Sequence, residues 1–307
     1  MMSSTPQRIA VILNASAGTG CTREIADRVT EYFRDHGQEI SMTLAPSGAQ
    51  IIEAAERAAR EGFAIIVAGG GDGTASAVAS TLVGSEIALG LLPLGTLNHL
   101  AKDLRVPLEL ADAVRVIVDG HAVQIDTGEV NGRIFVNNSS LGLYPDTVRR
   151  RERQQKLQGR GKWPALFIAA LGALRRYPFL NVTLDIDQQK VERRTPFVFI
   201  GNNEYLMEGF SIGARERLDA GRLSLYFVQR TSRLGLLMLA LRALVGRLRQ
   251  AKEFDALSAR TIRIETRRKQ LRVSTDGEVN MMTTPLHYRI RPASLHVIVP
   301  AGDQSPR

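Results

Sequence analysis

The chain has 307 residues, of which 44% are hydrophobic and 23% charged, the composition of a globular protein with room for two cores of about 150 residues each. These figures exclude an intrinsically disordered chain, a collagen-like repeat and a disulfide-stapled scaffold. The single cysteine, Cys21, cannot form an internal disulfide and has no metal-binding or redox spacing around it, so we expect a reducing, cytoplasmic environment. The first residues lack the basic and apolar regions of an export signal.

The net charge of +9 is distributed unevenly along the chain. Residues 1–128 carry 9 basic and 15 acidic side chains, whereas residues 129–307 carry 31 and 16, so the two parts have net charges of −6 and +15. Such polarity predicts that the second part faces an anionic partner, for which a membrane surface and nucleic acid are both candidates.

The first part of the chain alternates apolar strands with amphipathic helices. Residues 8–13 form a continuous apolar run, which predicts a strand buried on both faces, and residues 23–36 repeat apolar side chains at helical spacing. Further strands are predicted at 38–44, 63–68 and 87–92, and further helices at 49–61 and 75–83. This alternation predicts βαβ units, hence a parallel sheet with ligands at the carboxyl ends of its strands.

The second part consists of short alternating runs with turn signals, which predict an antiparallel, β-rich unit. The predicted strands are 133–137, 181–186, 197–201, 222–227, 261–265, 271–274 and 286–292. Two segments interrupt the pattern, a basic and apolar one at 149–177 and a leucine-rich one at 232–248. Neither has the length and composition of a membrane span.

A glycine-rich segment lies directly between the strand predicted at 63–68 and the helix predicted at 75–83. It consists of Gly69, Gly70, Gly71, Asp72, Gly73 and Thr74. Glycine lets a ligand approach backbone N–H groups, and the helix N-terminus that follows attracts anions, so the segment predicts a phosphate-binding loop. Its spacing is neither that of the P-loop nor G-x-G-x-x-G. The alternative is a tight turn in which Asp72 caps the helix.

A second loop, Pro93-Leu94-Gly95-Thr96-Leu97-Asn98, follows the strand predicted at 87–92. Because the carboxyl ends of parallel strands meet at one edge of a sheet, we expect this loop beside the glycine-rich segment. Two such loops predict a cleft.

Four motifs together resemble the diacylglycerol and sphingosine kinase family, which is related to the NAD kinases and phosphofructokinases. They are Asn14-Ala15-Ser16-Ala17-Gly18, Gly70-Gly71-Asp72-Gly73-Thr74, Gly95-Thr96-Leu97-Asn98 and Asp276-Gly277-Glu278, in the order of that family. Taken alone, Asp276-Gly277-Glu278 indicates only an exposed hairpin turn. The resemblance extends over essentially the whole chain.

The resemblance implies a Rossmann-like α/β domain with a parallel sheet, followed by an antiparallel β-sandwich. It places the nucleotide-binding domain at 1–128, with 293–307 returning to it, and the lipid-substrate domain at 129–292. It implies ATP and Mg²⁺ as cofactors, with Glu278 as the general base and with Asp276, Asp72 and Asp126 as further catalytic or magnesium-supporting carboxylates. The nucleotide-binding residues carried over are Asn14, Ser16, Gly18, Thr43, Gly70, Gly71, Asp72, Gly73, Thr74, Gly95, Thr96 and Asn98.

Three departures from the family pattern concern charged positions. His99 stands where the family commonly has aspartate, and Asp103 could compensate as an i,i+4 partner, the alternative being an ordinary solvated aspartate. Ala220 stands where the family has the carboxylate of a structural magnesium loop. The neighbouring Asp219 could replace it as a metal ligand only if the loop shifts by one residue, the alternative being that the structural metal is absent. Ala75-Ser76-Ala77 replaces the usual Asn and Glu after the glycine-rich loop, where nucleotide contacts are expected to be either weakened or remade by Ser76.

The function predicted from these features is transfer of phosphate from ATP to the hydroxyl of a lipid, either diacylglycerol-like or sphingoid-like. Basic residues around the apolar segment at 149–177, led by Trp163, predict a peripheral membrane contact of a cytoplasmic protein, the alternative being a core helix with a solvated basic face. A non-catalytic lipid- or nucleotide-binding relative is the alternative function. Nucleic acid is not expected as a partner, because aromatic-studded basic strands and recognition helices are missing. Family members also pair through sheet edges, so a homodimer is considered.

Overall fold

The structure, a computed structural model, describes residues 8–16, 23–142, 180–187, 189–195, 197–208, 211–215, 217–228 and 254–302. The candidate residue Gly18 lies outside the described residues, as do Cys21 and the segments 149–177 and 232–248.

The first part of the chain folds into alternating strands and helices, as its periodicity predicts. The strands are β1 (Ile9–Asn14), β2 (Ile40–Ala45), β3 (Ile65–Gly70) and β4 (Ala88–Pro93), and the helices are α1 (Arg23–Asp35), α2 (Gly48–Arg60), α3 (Asp72–Leu82), α4 (His99–Asp103) and α5 (Leu110–Asp119). Strands β3 and β4 are buried along their whole length, which explains their unbroken apolar sequence. Helix α1 contacts α5, and α2 contacts α3.

The glycine-rich segment is more regular than the sequence predicts. Gly69 and Gly70 still belong to β3, where they pair with Leu92 and Pro93 of β4. Helix α3 begins at Asp72 rather than at residue 75, so Gly71 alone forms the connection, as an extended N-cap. The N–H groups of the first turn of α3 therefore start directly at the sheet edge.

The sheet of the first part is parallel and is completed by the end of the chain. Its order is β2-β1-β3-β4, and β4 then pairs in parallel with β18 (Leu286–Val299) through His296 and Val297. The carboxyl ends of β1, β3 and β4 meet at one edge, where the candidate loops follow them.

The second part is antiparallel. Its strands are β5 (His121–Val130), β6 (Arg133–Phe135), β7 (Asn138–Gly142), β8 (Leu180–Ile186), β9 (Gln189–Thr195), β10 (Phe197–Asn202), β11 (Tyr205–Glu208), β12 (Ser211–Arg215), β13 (Leu223–Val228), β14 (Phe254–Ala259), β15 (Thr261–Thr266), β16 (Gln270–Thr275) and β17 (Glu278–Thr283). One sheet continues from β18 through β15 and β8 to β9, and the other has the order β14-β13-β10-β7-β16-β17. Buried side chains from both sheets, including Leu141, Ile200, Ile262 and Tyr288, form one core. The strands not predicted from the sequence are β5, β7, β9, β11, β12, β14 and β17.

Strand β18 belongs to both parts of the molecule. Leu295 and Val297 contribute to the core of the first part, whereas Leu286 and Tyr288 contribute to the second core. Between the two stretches Ala293 has a φ of 47°, and the pairing with β5 shifts register between Arg291 and Leu295. The divisions near residues 128 and 293 stay predictions, and β5 runs across the first and β18 across the second.

A buried ion pair joins helix α4 to strand β12. The Asp103 carboxylate accepts hydrogen bonds from Arg215 Nε at 2.8 Å and from the Arg215 backbone N–H at 3.2 Å, and the two side chains are 5% and 0% exposed. The guanidinium also donates to the carbonyls of Val136 and Asn202 and to the side chain of Asn137. Burial lowers the pKa of Arg215, but Tyr205 and Asp103 raise it further than burial lowers it, so the guanidinium stays charged. The pair therefore anchors the first part to the second.

Within the part of the chain that the structure describes, no helix is both long enough and apolar enough to cross a bilayer.

Replacing Asp103 with asparagine leaves the Arg215 charge buried without its counterion. We expect Asp103→Asn to lower the free energy of unfolding by about 3–5 kcal/mol, as measured by urea denaturation. Glu265→Gln is the matched control, because the Arg263–Glu265 pair is about half exposed and its loss should cost about 1 kcal/mol or less. Equal losses in the two variants would contradict an anchoring role for the buried pair.

Candidate functional site

Two glycine loops touch each other at the carboxyl ends of β3 and β4. A Cβ atom added at Gly95 would lie 2.3 Å from the Cα of Gly71, so only glycine permits this approach. The Leu94 N–H also donates to the Gly70 carbonyl at 3.0 Å. The cleft predicted from the two loops is therefore built by direct backbone contact between them.

Asn98 shapes the second loop with its side chain. Its Oδ1 accepts from the Gly95 N–H at 3.1 Å, and its Nδ2 donates to the carbonyls of Gly95 and Pro93 at 2.8 and 3.2 Å. Its φ of 50° is left-handed, which asparagine tolerates better than most residues. The side chain is buried and bonded to its own loop, so it supports the loop rather than facing a ligand.

The motif at the end of β1 is connected to the glycine-rich loop. Asn14 Nδ2 donates to Thr74 Oγ1 at 3.0 Å, and Asn14 Oδ1 accepts from the Ser16 N–H at 2.9 Å. The Ser16 hydroxyl donates to the Pro46 carbonyl, which ties β1 to the loop after β2. Thr43 lies within β2, in register with Ile12.

These loops line a cavity of about 430 Å³ together with Glu278. Its lining residues are Asn14, Gly48, Ile51, Ile52, Gly71, Gly73, Thr74, Ala77, Gly95, Thr96 and Glu278. Glu278, from the second part of the chain, thus lines the same cavity as six of the residues assigned to the nucleotide. Ser16, Thr43, Gly70, Asp72 and Asn98 are assigned to the nucleotide but do not line it.

Asp276 holds the hairpin that carries Glu278. Asp276 and Gly277 have φ angles of 49° and 89°, and Thr275 pairs with Glu278, the arrangement of a two-residue type I′ turn. The Asp276 carboxylate accepts the Ser76 hydroxyl at 2.6 Å and the N–H groups of Val136, Asn137 and Asn138 at 2.7 to 3.0 Å. Burial raises the pKa of Asp276, and these hydrogen bonds oppose that shift. Both carboxylate oxygens are occupied, so Asp276 acts on the site by positioning the hairpin.

Glu278 is exposed and forms an ion pair with Arg133, which the sequence analysis did not single out. Arg133 Nη2 donates to Glu278 Oε2, and Arg133 Nε donates to Thr275 Oγ1 at 3.1 Å. Both partners line a second cavity of about 330 Å³. This cavity shares Ile52, Gly73, Ala77 and Glu278 with the first, so Glu278 lies where the two cavities meet.

Asp72 and Asp126, both predicted to be catalytic or magnesium-supporting carboxylates, accept hydrogen bonds from backbone N–H groups. Asp72 Oδ1 accepts from the Leu100 N–H at 3.3 Å and so caps α4 from the start of α3. The buried Asp126 carboxylate accepts the N–H groups of Gly221 and Ala293 at 2.6 and 2.9 Å, which fixes the loop before β13 to the bend in β18. A supporting role of Asp126 toward Glu278 or a metal is not favoured by these contacts.

At two of the three departures from the family pattern, the contacts differ from those that a compensating pair or a structural metal would require. The Asp103 carboxylate binds Arg215 rather than His99, and His99 is exposed. Asp219 pairs with Arg217 at 3.0 Å. Across the described ranges, no group of three or more His, Cys, Asp or Glu side chains is placed to hold a metal ion. A compensating pair at His99 and a structural metal at Asp219 therefore gain no support.

The contact between the glycine loops predicts that an alanine substitution destabilises the fold at Gly95 but not at Gly73. Gly95→Ala forces the loops apart, so we expect it to lower the free energy of unfolding by about 1–3 kcal/mol. Gly73→Ala is the matched control, because a Cβ there meets nothing within 4 Å and should cost no stability. Thermal unfolding of both variants measures the difference, and equal midpoints would contradict the contact.

Two family models match the chain. Residues 8–130 match the diacylglycerol kinase catalytic domain, and residues 146–299 match the YegS C-terminal NAD kinase beta sandwich-like domain. Together they account for both the α/β part with its mainly parallel sheet and the antiparallel part that follows.

Relatives agree with this assignment. A diacylglycerol kinase of Staphylococcus carnosus (strain TM300) is 24% identical over 228 residues, which cover 74% of each chain. A diacylglycerol kinase of Staphylococcus aureus (strain JH9) is 24% identical over 229 residues, which cover 74% of this chain and 72% of the relative. A crystal structure described as a diacylglycerol kinase of Bacillus anthracis str. Sterne superposes with a TM-score of 0.71 at 20% identity, covering 97% of this chain and 98% of its own, which shows the common fold. The chain thus belongs to the diacylglycerol kinase family, with a diacylglycerol kinase catalytic domain followed by a YegS-type β-sandwich.

Proposed function

We propose that the protein is an ATP-dependent lipid kinase that transfers the γ-phosphate to a lipid hydroxyl, with Glu278 as the general base. Membership of a kinase family implies ATP as the donor. The observation that carries the proposal is the 430 Å³ cavity, which Glu278 lines together with both glycine loops. A phosphate bound at the loops would thus share a cavity with a carboxylate able to take a proton.

The reaction requires little chemistry from the protein. The lipid hydroxyl oxygen forms a bond to the γ-phosphorus, the bond from that phosphorus to the ADP oxygen breaks, and the hydroxyl proton passes to Glu278. In-line transfer of this kind depends on positioning and on neutralising charge. The N–H groups at the start of α3 and in the Gly95 loop supply donors for the phosphates.

Magnesium fits this arrangement only as part of a complex with the bound nucleotide. Mg²⁺ in such sites is held by one or two carboxylates and by substrate phosphates, where it neutralises phosphate charge. Asp276 and Asp126 have both carboxylate oxygens hydrogen-bonded within the protein, whereas Asp72 accepts a hydrogen bond only at Oδ1 among the residues that the structure describes. We therefore propose Asp72 and the nucleotide phosphates, rather than Asp219, as the ligands of Mg²⁺.

The acceptor is proposed to be a diacylglycerol-like or sphingoid-like lipid presented at an anionic membrane surface. The part of the chain from residue 129 onward has a net charge of +15. Within it, the turn between β15 and β16 exposes three consecutive cations, Arg267, Arg268 and Lys269. Clustered cations of this kind bind anionic lipid head groups electrostatically.

The proposed base predicts a selective loss of transfer. Glu278→Gln should reduce phosphate transfer from labelled ATP to lipids in mixed micelles by about 100-fold or more while nucleotide binding persists. Glu265→Gln, on the surface of β15, should leave transfer unchanged. Transfer by Glu278→Gln at the wild-type rate would exclude the base. Nucleotide binding by the wild type without transfer to any lipid would instead favour a non-catalytic binding relative.

The exposed cations predict binding to charged vesicles. Replacing Arg267, Arg268 and Lys269 together with glutamine should weaken binding to vesicles containing phosphatidylglycerol by about 100-fold, since each cation near the surface contributes about 1 kcal/mol. Replacing the exposed Arg34 and Arg57 of the first part serves as the control and should have little effect. Vesicle sedimentation measures both. An unchanged affinity of the triple variant would exclude this turn as the membrane contact.

A further inference from the structure

Arg133 and Glu278 occupy equivalent positions in two hairpins that face each other. In the turn from β5 to β6, Asn131 and Gly132 have φ angles of 46° and 84°, and Val130 pairs with Arg133. This is the same two-residue turn that Asp276 and Gly277 form ahead of Glu278. Each turn thus fixes the backbone of the charged residue that follows it, while leaving the side chain at the cleft.

Arg133 carries the only basic side chain among the described residues that line the two cavities. The acidic side chains that line them are Asp276 and Glu278. A nucleoside triphosphate brings several negative charges into this cleft, and the glycine loops offer only neutral N–H donors. A guanidinium matches phosphate oxygens with two parallel hydrogen bonds, which makes Arg133 the natural partner of that charge.

Phosphate can displace Glu278 from its ion pair with Arg133. The side chains of Arg133 and Glu278 are 42% and 60% exposed, and exposed pairs of this kind are weak. A phosphate competes with Glu278 for the same guanidinium, and it also gains from the N–H donors nearby.

We propose that Arg133 is the phosphate-binding cation of the cleft, and that nucleotide phosphate and Glu278 compete for its guanidinium. The proposal rests on the nucleotide site proposed above. Phosphate binding to Arg133 releases the Glu278 carboxylate, which is then free to accept the proton of the lipid hydroxyl. Arg133 thereby couples nucleotide binding to the availability of the base.

Competition has a reciprocal consequence for affinity. If Glu278 and phosphate compete for Arg133, removing the Glu278 charge strengthens nucleotide binding, and it does so only while Arg133 is present. General electrostatic repulsion by Glu278 would instead strengthen binding in either background. A double-mutant cycle separates these two explanations.

The experiment is calorimetric titration of the full chain with the Mg²⁺ complex of AMP-PNP. We expect Arg133→Gln to weaken binding about tenfold, Glu278→Gln to strengthen it about twofold to fivefold, and the double variant to match Arg133→Gln. Arg133→Lys keeps the charge but loses the two parallel hydrogen bonds of the guanidinium, so its affinity should lie between those of the wild type and Arg133→Gln. Arg263→Gln and Glu265→Gln, which break a comparably exposed pair, are the controls and should not change affinity.

Two results would overturn the competition. One is an Arg133→Gln variant whose affinity stays within twofold of the wild type, and the other is a gain from Glu278→Gln that persists without Arg133. Failure of the proposed function would give a different result. A wild-type protein that does not bind AMP-PNP would show that the cleft is not a nucleotide site. Thermal unfolding of each variant separates lost affinity from lost structure.

Discussion

The Asp276 carboxylate is the contact on which the geometry of the cleft depends. It accepts a hydroxyl from helix α3 and three successive N–H groups between β6 and β7, while its own backbone forms the turn between β16 and β17. One side chain therefore connects the helix that starts at the glycine loop to the hairpin that carries Glu278. Four hydrogen bonds offset the cost of burying the carboxylate, and they leave it no free oxygen for chemistry.

Most carboxylates around the site hold the backbone, which leaves Glu278 distinct. Asp72 caps α4, Asp103 neutralises Arg215 and Asp126 joins the loop before β13 to β18. Each of these carboxylates stabilises a connection between segments that are distant in the sequence. Glu278 instead pairs with the exposed Arg133 at the junction of two cavities. Among these carboxylates, Glu278 is the one that lines both cavities.

The sequence predicts the parts of this arrangement that depend on local patterns. The apolar strands, the glycine loops and the Asp276-Gly277 turn follow from periodicity and from residues that tolerate positive φ. Strand β7 was missed because Asn138-Ser139-Ser140-Leu141-Gly142 is small and polar, and it is a strand only because β10 and β16 pair with it on either side. The ion pairs of Arg133 and Arg215 join residues more than 100 positions apart, so no spacing could indicate them. For a similar reason Asp126, whose partners lie 95 and 167 positions away, could be recognised as a polar residue of the site but not as part of its scaffold.

The position of β18 constrains how the chain can fold during synthesis. This strand follows every other strand of the chain that the structure describes, yet it pairs with β4 of the first part and with β5. The ribosome must therefore synthesise β5 to β17 before the α/β sheet can gain its fifth strand. Until then β4 has an unpaired edge, which is exposed to other chains. The two parts are successive in the sequence, but the first one cannot be finished before the second has been made.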